Sequence, residues 1–142
     1  MEGYPFSIDK RVRYSETDSE GILNNISIFK YFEIGRTEFW RAAGIEVPQM
    51  AGNGFGIVMV RQECDYRLPV YPDELLEVGT RLGGVGNTSF TTEYRVCRKA
   101  TGEVVADGKT VHVVIDSKER KPIAVPEYLR RKMEEFEKQA RR

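Results

Sequence analysis

One segment in the first third of the chain predicts a helix that is apolar around most of its circumference. Four polar and charged residues of this helix, which spans 26–43, fall on one narrow face, namely Lys30, Glu33, Thr37 and Arg41. The rest of the circumference carries apolar side chains, among them Ile28, Phe29, Phe32, Phe39, Trp40 and Ala43. Such a helix has to be covered on several sides to remove this surface from water. The rest of the fold must therefore wrap around it.

The remaining sequence predicts the strands that form this wrapping. A first strand precedes the helix at 4–14, and four more follow it, at 57–68, 74–85, 89–99 and 104–116. Turn signals at 69–73, 83–87 and 100–102 favour hairpins and a mostly antiparallel sheet. Gly44 is predicted to end the helix, and the segment 47–56, rich in Gly and Pro, is predicted to be a mobile loop.

The last segment predicts a surface helix that begins near Pro126. Its apolar residues form one stripe at helical spacing, namely Leu129, Met133, Phe136 and Ala140. We therefore predict a single domain, residues 1–142, of the α+β class. It consists of a five-stranded antiparallel sheet wrapped around a central helix, plus a C-terminal surface helix.

The turn ahead of the central helix carries the polar residues most suited to chemistry. Asp18 lies in that turn, and Asn24 and Asn25 are suitable N-cap residues. Unpaired N–H groups and the helix dipole make this helix end partly positive. The amides can polarise a carbonyl while Asp18 attacks it or activates a water, which is the chemistry of acyl transfer. On spacing alone, a turn former or helix-dipole partner is the simpler interpretation of Asp18.

Other kinds of site are not favoured by the sequence. His112 is the only histidine and lies in a strand-like run, where a structural or solvent-facing imidazole is expected. No Gly-x-Ser-x-Gly turn is present, and the run from Gly102 to Thr110 fails the spacing of a phosphate-binding loop. Cys64 and Cys97 are interpreted as reduced thiols, and we expect neither a metal nor a cofactor.

Charge and hydropathy limit the partners of the chain. Lys plus Arg and Asp plus Glu each number 22, so the net charge gives no basic field for nucleic-acid binding. No segment approaches the length of about 20 apolar residues that a membrane-spanning helix needs, and the N-terminus lacks a secretory pattern. We therefore expect a cytoplasmic protein with no nucleic-acid or membrane partner.

Short motifs follow one another in order along nearly the whole chain. They are Arg11-Val12, Thr17-Asp18, Gly21-Ile22, Asn24-Asn25, Tyr31-Phe32-Glu33 with Arg36, Asp65-Tyr66-Arg67-Leu68-Pro69, Pro72-Asp73-Glu74, Gly86-Asn87-Thr88-Ser89-Phe90 and Val105-Ala106-Asp107-Gly108. Together they resemble the hot-dog-fold acyl-CoA thioesterases of the hydroxybenzoyl-CoA thioesterase type. The resemblance implies that an acyl-CoA is hydrolysed to a free acid and CoA without a cofactor.

The resemblance also implies roles for individual residues. Asp18 corresponds to the catalytic aspartate, and the amide of Asn25, together with that of Asn24, corresponds to the oxyanion site beside Gly21 and Ile22. The acyl group is expected against the apolar side chains Phe29, Phe32, Phe55 and Met59. Basic residues are expected to meet the phosphates of CoA, the candidates being Arg61, Arg67, Lys118, Arg120 and Lys121. Glu33 has either a supporting role in the site or a surface ion pair with Arg36.

Assembly and activity are predicted on the same grounds. Unpaired sheet edges favour a homodimer, and the resemblance implies two sites at the subunit interface and allows a dimer of dimers. Many relatives carry a histidine in the turn and a tyrosine at the start of the helix. This chain has Ile22 and Asn25 at the possible histidine positions and Ile28 at the tyrosine position. The alternative is therefore a non-catalytic dimer that binds acyl-CoA or acyl carrier protein, and a purely structural dimer is a second alternative.

Overall fold

The helices and strands occur in the order that the sequence predicts. The computed structural model describes residues 1–46 and 51–140. The strands are Phe6–Arg11 (β1), Phe55–Tyr66 (β2), Leu75–Val85 (β3), Ser89–Arg98 (β4) and Val104–Asp116 (β5), and the helices are Ser27–Ala42 (α1) and Glu127–Ala140 (α2). Short 3-10 turns lie at Tyr14–Glu16 and Ala51–Asn53.

All five strands form one antiparallel sheet in the order β1-β3-β4-β5-β2. The predicted hairpins between β3 and β4 and between β4 and β5 are confirmed. The hairpin predicted at 69–73 is wrong, because β2 pairs with β5, whereas β3 pairs with β1 and β4. The residues between β2 and β3 instead cross the sheet, from the edge strand β2 to β3, which lies next to the opposite edge strand β1. This leaves β1 and β2 as the two sheet edges.

Helix α1 packs against the sheet by one face, on which eight of its 16 residues are buried. The ring of Phe32 is 1% exposed and stacks on Tyr94 of β4, with centroids 4.5 Å apart. The predicted polar face is exposed, as expected for Lys30, Glu33, Thr37 and Arg41. Gly44 has a φ of 78° and ends the helix by donating to the carbonyl of Arg41, which confirms the predicted C-cap.

Helix α2 docks by the predicted stripe. Leu129 and Met133 are each 1% exposed, and Phe136 contacts Phe39 of α1 edge to face at 5.1 Å. The mixed charges of the segment lie on its other faces, apart from Glu137, which is 9% exposed. Neither helix in the described part of the chain is long and apolar enough to cross a membrane.

Several predicted boundaries need correction. Strand β1 ends at Arg11 rather than at 14, because the chain then folds into the 3-10 turn in which Glu16 accepts from the amide of Arg13. Helix α1 begins at Ser27 with Ile26 as its N-cap, so neither asparagine occupies the predicted cap position. Strand β2 begins at Phe55, so the predicted loop is shorter than 47–56. Residues 47–50 of that loop lie outside the described residues.

Arg36 departs most from its predicted position. It was expected in a surface ion pair with Glu33, but its side chain turns inward and only 7% of the residue is exposed. Its guanidinium donates to the hydroxyl of Tyr94 at 3.0 Å. No ion pair joins Glu33 to Arg36 within the described ranges, so that interpretation of Glu33 is wrong.

Candidate active site

The carboxylate of Asp18 closes the turn in which it lies. Its Oδ1 accepts from the amide of Glu20 at 2.9 Å and from that of Ile22 at 3.4 Å. The amide of Asp18 donates to the carbonyl of Ile22 at 2.9 Å, and Gly21 takes a φ of 74°, which favours glycine. Asp18 is therefore held by its own turn, with its side chain exposed in the single chain.

Glu16 connects this turn to helix α1. Its Oε1 accepts from the hydroxyl of Tyr31 at 2.8 Å and lies 3.3 Å from the ammonium of Lys10. Burial opposes the charge of Glu16, but hydrogen bonds from the Arg13 amide, Tyr31 and Lys10 outweigh burial and lower its pKa. The carboxylate thus stays charged and fixes the turn to a residue that is 0% exposed, Tyr31.

The start of α1 has an amide that makes no hydrogen bond. The side chain of Asn24 accepts from the amide of Ile26 at 2.8 Å, and its carbonyl accepts from Ser27 at 2.9 Å. The N–H of Asn25 donates to no acceptor in residues 1–46 and 51–140, and the residue is exposed. The carbonyl of Asn25 accepts from the hydroxyl of Tyr66 on β2 at 2.5 Å. The sheet therefore fixes the backbone from which this amide projects.

A cavity of about 240 Å³ lies at this helix start. Ile22, Asn24 and Asn25 line it, together with Tyr66, Arg67 and several apolar residues. Asp18 does not line the cavity. Its Oδ1 is, however, 3.4 Å from the backbone nitrogen of Ile22, and Ile22 does line the cavity. The predicted turn, the two asparagines and Arg67 thus gather around one cavity, with Asp18 beside it.

The basic residue in this cavity is anchored by an acidic one. Nε of Arg67 donates to Asp107 at 2.6 Å, and Arg95 donates to the other oxygen of Asp107 at 2.7 Å. Burial opposes the charge of Asp107, but the hydrogen bonds from Arg95 and Arg67 outweigh it and lower the pKa of this carboxyl. The other nitrogens of Arg67 stay available to an anion at the cavity.

A second, larger cavity of about 840 Å³ lies beside the C-terminal half of α1. Met59 of β2 and Glu33 of α1 line it, together with Arg36, Trp40 and His112. Ile28 lines the first cavity and Trp40 the second, and they are 12 residues apart on α1, or about 18 Å at 1.5 Å per residue. Within one chain the first cavity therefore lies at the start of α1 and the second along its later part.

The other predicted binding residues are placed away from these cavities. Phe32 and Phe55 are 1% and 4% exposed and belong to the core, and Phe29 packs against the core beside Phe32. Arg61 is exposed and forms an ion pair with Glu63 at 2.8 Å. Three more basic candidates, Lys118, Arg120 and Lys121, lie exposed in the turn after β5.

Three structural roles were missed by the sequence prediction. Glu16 and Tyr31 are 15 residues apart, so only the fold brings them together. Tyr66 was quoted within a motif, yet nothing in the sequence pairs it with Asn25. The burial of Arg36 could have been suspected, because at helical spacing it falls outside the exposed face that carries Glu33, Thr37 and Arg41.

Cation binding finds no support within the described ranges, which contain no group of three or more His, Cys, Asp or Glu side chains that could hold a metal ion. Cys64 and Cys97 are both free, and Cys97 is buried. The chemistry that the first cavity offers is therefore that of one carboxylate, one unpaired backbone amide and one guanidinium.

The antiparallel sheet, its strand order and the enclosed helix define a hot-dog domain. The sequence profile of the thioesterase-like superfamily matches residues 12–133 of the chain. The chain belongs to this superfamily. Both the predicted resemblance and the predicted fold class are thereby confirmed.

Known proteins similar to the chain include enzymes with solved structures. The acyl-CoA thioester hydrolase YbgC of Escherichia coli is 25% identical over 116 residues, which cover 82% of this chain and 86% of YbgC. A thioesterase from Thermus thermophilus, solved with coenzyme A and zinc, is 28% identical with a TM-score of 0.80, covering 97% of this chain and 98% of its own.

The likeness in fold extends to more distant sequences. A 1,4-dihydroxy-2-naphthoyl-CoA thioesterase from Synechocystis superposes with a TM-score of 0.85 over 90% of this chain and 94% of its own, at 18% identity. At this identity the superposition supports the shared fold alone.

Proposed function

We propose that the protein is an acyl-CoA thioesterase in which Asp18 and the start of α1 act on the thioester. The observation that carries the proposal is the unpaired N–H of Asn25, a residue that lines the same cavity as Ile22, whose amide is bound by Asp18. A donor at a helix start favours an oxygen that becomes negative. Membership of the thioesterase-like superfamily supports the same chemistry.

The reaction follows from these groups. The thioester carbonyl oxygen accepts from the Asn25 amide, so the carbonyl carbon becomes more electrophilic. Asp18 either takes a proton from a water that attacks this carbon or attacks it directly, giving an anhydride that water then opens. The C–S bond breaks, and the thiolate of CoA leaves and takes up a proton. A single turnover in ¹⁸O-labelled water separates the two routes, because only direct attack places the label in Asp18.

A second copy of the chain completes the site in this proposal. β2 is a 12-residue edge strand whose free side carries Met59, Val60 and Tyr66, exposed to 42%, 58% and 50%. Such an edge favours pairing with another strand. Antiparallel pairing of two β2 strands about a two-fold axis places the two α1 helices side by side in opposite directions. The start of one α1 then faces the large cavity beside the other α1.

This arrangement assigns the parts of the substrate. One protomer supplies Asp18 and the Asn25 amide, and its partner supplies apolar walls for the acyl group, including Trp40, Ile57 and Met59. Arg67, at the rim of the first cavity, is suited to a phosphate of CoA. Phe32 and Phe55 serve the core rather than the acyl group.

The experiment is thiol release from a panel of acyl-CoAs by the wild-type protein and by Asp18→Asn. Asparagine keeps an Oδ1 that can accept from Glu20 and Ile22, so the turn persists while the base or nucleophile is lost. We expect turnover to fall by at least about 100-fold. Glu20→Gln, a neighbouring carboxylate in the same turn, is the matched control and should retain its rate. Unchanged turnover in Asp18→Asn would contradict the assignment, and binding without release would favour the non-catalytic alternative.

A further inference from the structure

Arg36 is a buried cation with no anionic partner. The residue is 7% exposed, donates one hydrogen bond to the Tyr94 hydroxyl and lies over the ring of Trp40 at 5.9 Å. No carboxylate oxygen comes within 4.0 Å of its guanidinium in the described part of the chain. The residues outside that part, 47–50 and 141–142, contain no aspartate or glutamate. A buried guanidinium is costly unless an anion accompanies it.

The polar groups that contact Arg36 cannot supply that anion. Arg36 donates to the hydroxyl of Tyr94, which is hydrogen-bonded to the hydroxyl of Thr110 at 2.7 Å, and Thr110 is hydrogen-bonded to Nε2 of His112 at 2.8 Å. Burial, and secondarily the charge of Arg36, lower the pKa of His112 to about 4, so the imidazole is neutral near pH 7. The chain of hydrogen bonds thus orients the groups but leaves the positive charge uncompensated.

This charge lies at the wall of the large cavity. Arg36 and His112 line the cavity of about 840 Å³, and Arg36 can donate further hydrogen bonds, while Trp40, Ile57 and Met59 make its apolar walls. Glu33 also lines the cavity but is exposed and makes no ion pair with Arg36. A ligand that suits this combination has an apolar stem that ends in an anionic oxygen group.

We infer that the cavity selects acyl groups that carry a distal carboxylate, with Arg36 as the counter-ion of that carboxylate. The inference rests on the proposed thioesterase function, because it concerns the acyl part of the same substrate. The preferred substrates are then the mono-CoA thioesters of dicarboxylic acids. Specificity follows because a neutral acyl end leaves the buried guanidinium unpaired.

The test compares two substrates of the same shape. Adipoyl-CoA ends in a carboxylate, and 6-methylheptanoyl-CoA carries an isopropyl group in its place. We expect the wild-type kcat/KM to favour adipoyl-CoA by about 10-fold or more, since a hydrogen-bonded ion contributes about 1.5–3 kcal/mol. Homologous pairs with shorter and longer stems locate the best length. Arg36→Met should abolish the preference, whereas Arg36→Lys should retain part of it.

The matched control is Arg41→Met, which removes an exposed arginine from the rim of the same cavity. Its preference ratio should stay within about 3-fold of wild type, because an exposed charge is screened. Circular dichroism and light scattering verify that each variant is folded and keeps the wild-type oligomeric state. Dissociation of Arg36→Met into monomers would overturn the inference, because it would mean that Arg36 is paired with the other subunit.

Failure of the inference differs from failure of the proposed function. Equal wild-type rates on both substrates, or an equal loss on both in Arg36→Met, overturn the inference and leave the thioesterase intact. If neither thioester is hydrolysed, the proposed function fails, and calorimetry with monomethyl adipate and methyl 6-methylheptanoate, in which the C1 carboxyl of each acid is masked as an ester, still tests the cavity. Binding of monomethyl adipate that Arg36→Met abolishes would then support the anion site, and equal binding of both esters would refute it.

Discussion

Gly108 on β5 lies directly against the ring of Phe32 on α1. A Cβ at Gly108 would be 2.4 Å from Cε2 of Phe32 and 2.5 Å from the carbonyl oxygen of Glu63 on β2. Real Cβ atoms do not approach so closely, and the second contact is with backbone that cannot rotate away. This glycine therefore sets the distance at which the helix packs on the sheet.

The first prediction concerns this contact. Gly108→Ala should lower the free energy of unfolding by about 2–3 kcal/mol, because a methyl group forced into a packed core displaces its neighbours. Urea denaturation followed by circular dichroism measures the change. Gly52→Ala is the control: a Cβ at Gly52 meets no atom of the described residues within 4 Å, so its unfolding free energy should stay within about 0.5 kcal/mol of wild type. Equal stability of Gly108→Ala and wild type would contradict the packing described.

A second prediction follows from the buried imidazole of His112. Its pKa is about 4 in the folded protein and 6.5 as the ordinary value. Between these values the unfolded chain binds a proton that the folded chain does not, so stability falls as the pH is lowered through this window. We expect the free energy of unfolding to drop by about 2 kcal/mol from pH 7 to pH 5.

The control for this pH dependence is His112→Gln. His112 is the only histidine of the chain, so the substitution removes the only imidazole that titrates in the window. Carboxyls with lowered pKa, such as Glu16 and Glu74, lose their contribution only at lower pH. The variant should therefore show a flat profile between pH 7 and pH 5. A wild-type profile that is equally flat would show that His112 keeps its ordinary pKa.

The sequence predicts the fold better than it predicts the site, for a physical reason. The succession of strands and helices along the chain and the exposed face of α1 follow from local periodicity, which needs no long-range contact. The crossing from the edge strand β2 to β3, on the far side of the sheet, escaped prediction, because a short turn signal at 69–73 cannot tell which strands pair across it. Strand pairing is decided by the whole sheet.

The candidate site shows the same division between local and distant contacts. Asp18 and Asn25 are close in sequence, so the sequence alone brings them to one helix end. Arg36 was misplaced, because an i, i+3 spacing from Glu33 predicts a surface ion pair, whereas the acceptor that the guanidinium finds, Tyr94, is 58 residues away.

A third prediction tests Tyr66 as a positioning residue for the Asn25 backbone. Tyr66→Phe removes the hydroxyl that donates to the Asn25 carbonyl at 2.5 Å, so the adjacent amide loses a support from the sheet. We expect kcat to fall by about 10-fold with little change in KM, because the amide acts mainly as charge develops. Steady-state kinetics on an acyl-CoA measure the two constants separately.

Tyr71→Phe is the matched control for this substitution. Tyr71 is exposed to the same 50% as Tyr66, and its hydroxyl makes no hydrogen bond to any residue that the structure describes. Its kcat should be that of wild type. An equal rise of KM in both variants, with kcat unchanged, would show that Tyr66 contributes general contact with the substrate instead.

The last prediction concerns the free edge of β2. Val60 lies where the register of β2 with β5 shifts between Met59 and Arg61, and it is 58% exposed. In the proposed dimer this edge is buried against a second β2, so Val60→Glu places two carboxylates close to one two-fold axis. Like charges brought together at an interface oppose association. We expect light scattering at micromolar concentration to report a dimer for wild type and a monomer for Val60→Glu.

Thiol release should be lost together with the dimer, because each site needs a cavity from the partner. Tyr14→Glu is the control: Tyr14 is exposed to 80% but follows β1, at the opposite edge of the sheet from β2. It should remain dimeric and folded. A wild-type protein that is monomeric yet fully active, or a monomeric Val60→Glu that keeps its turnover, would show that one chain holds the complete site.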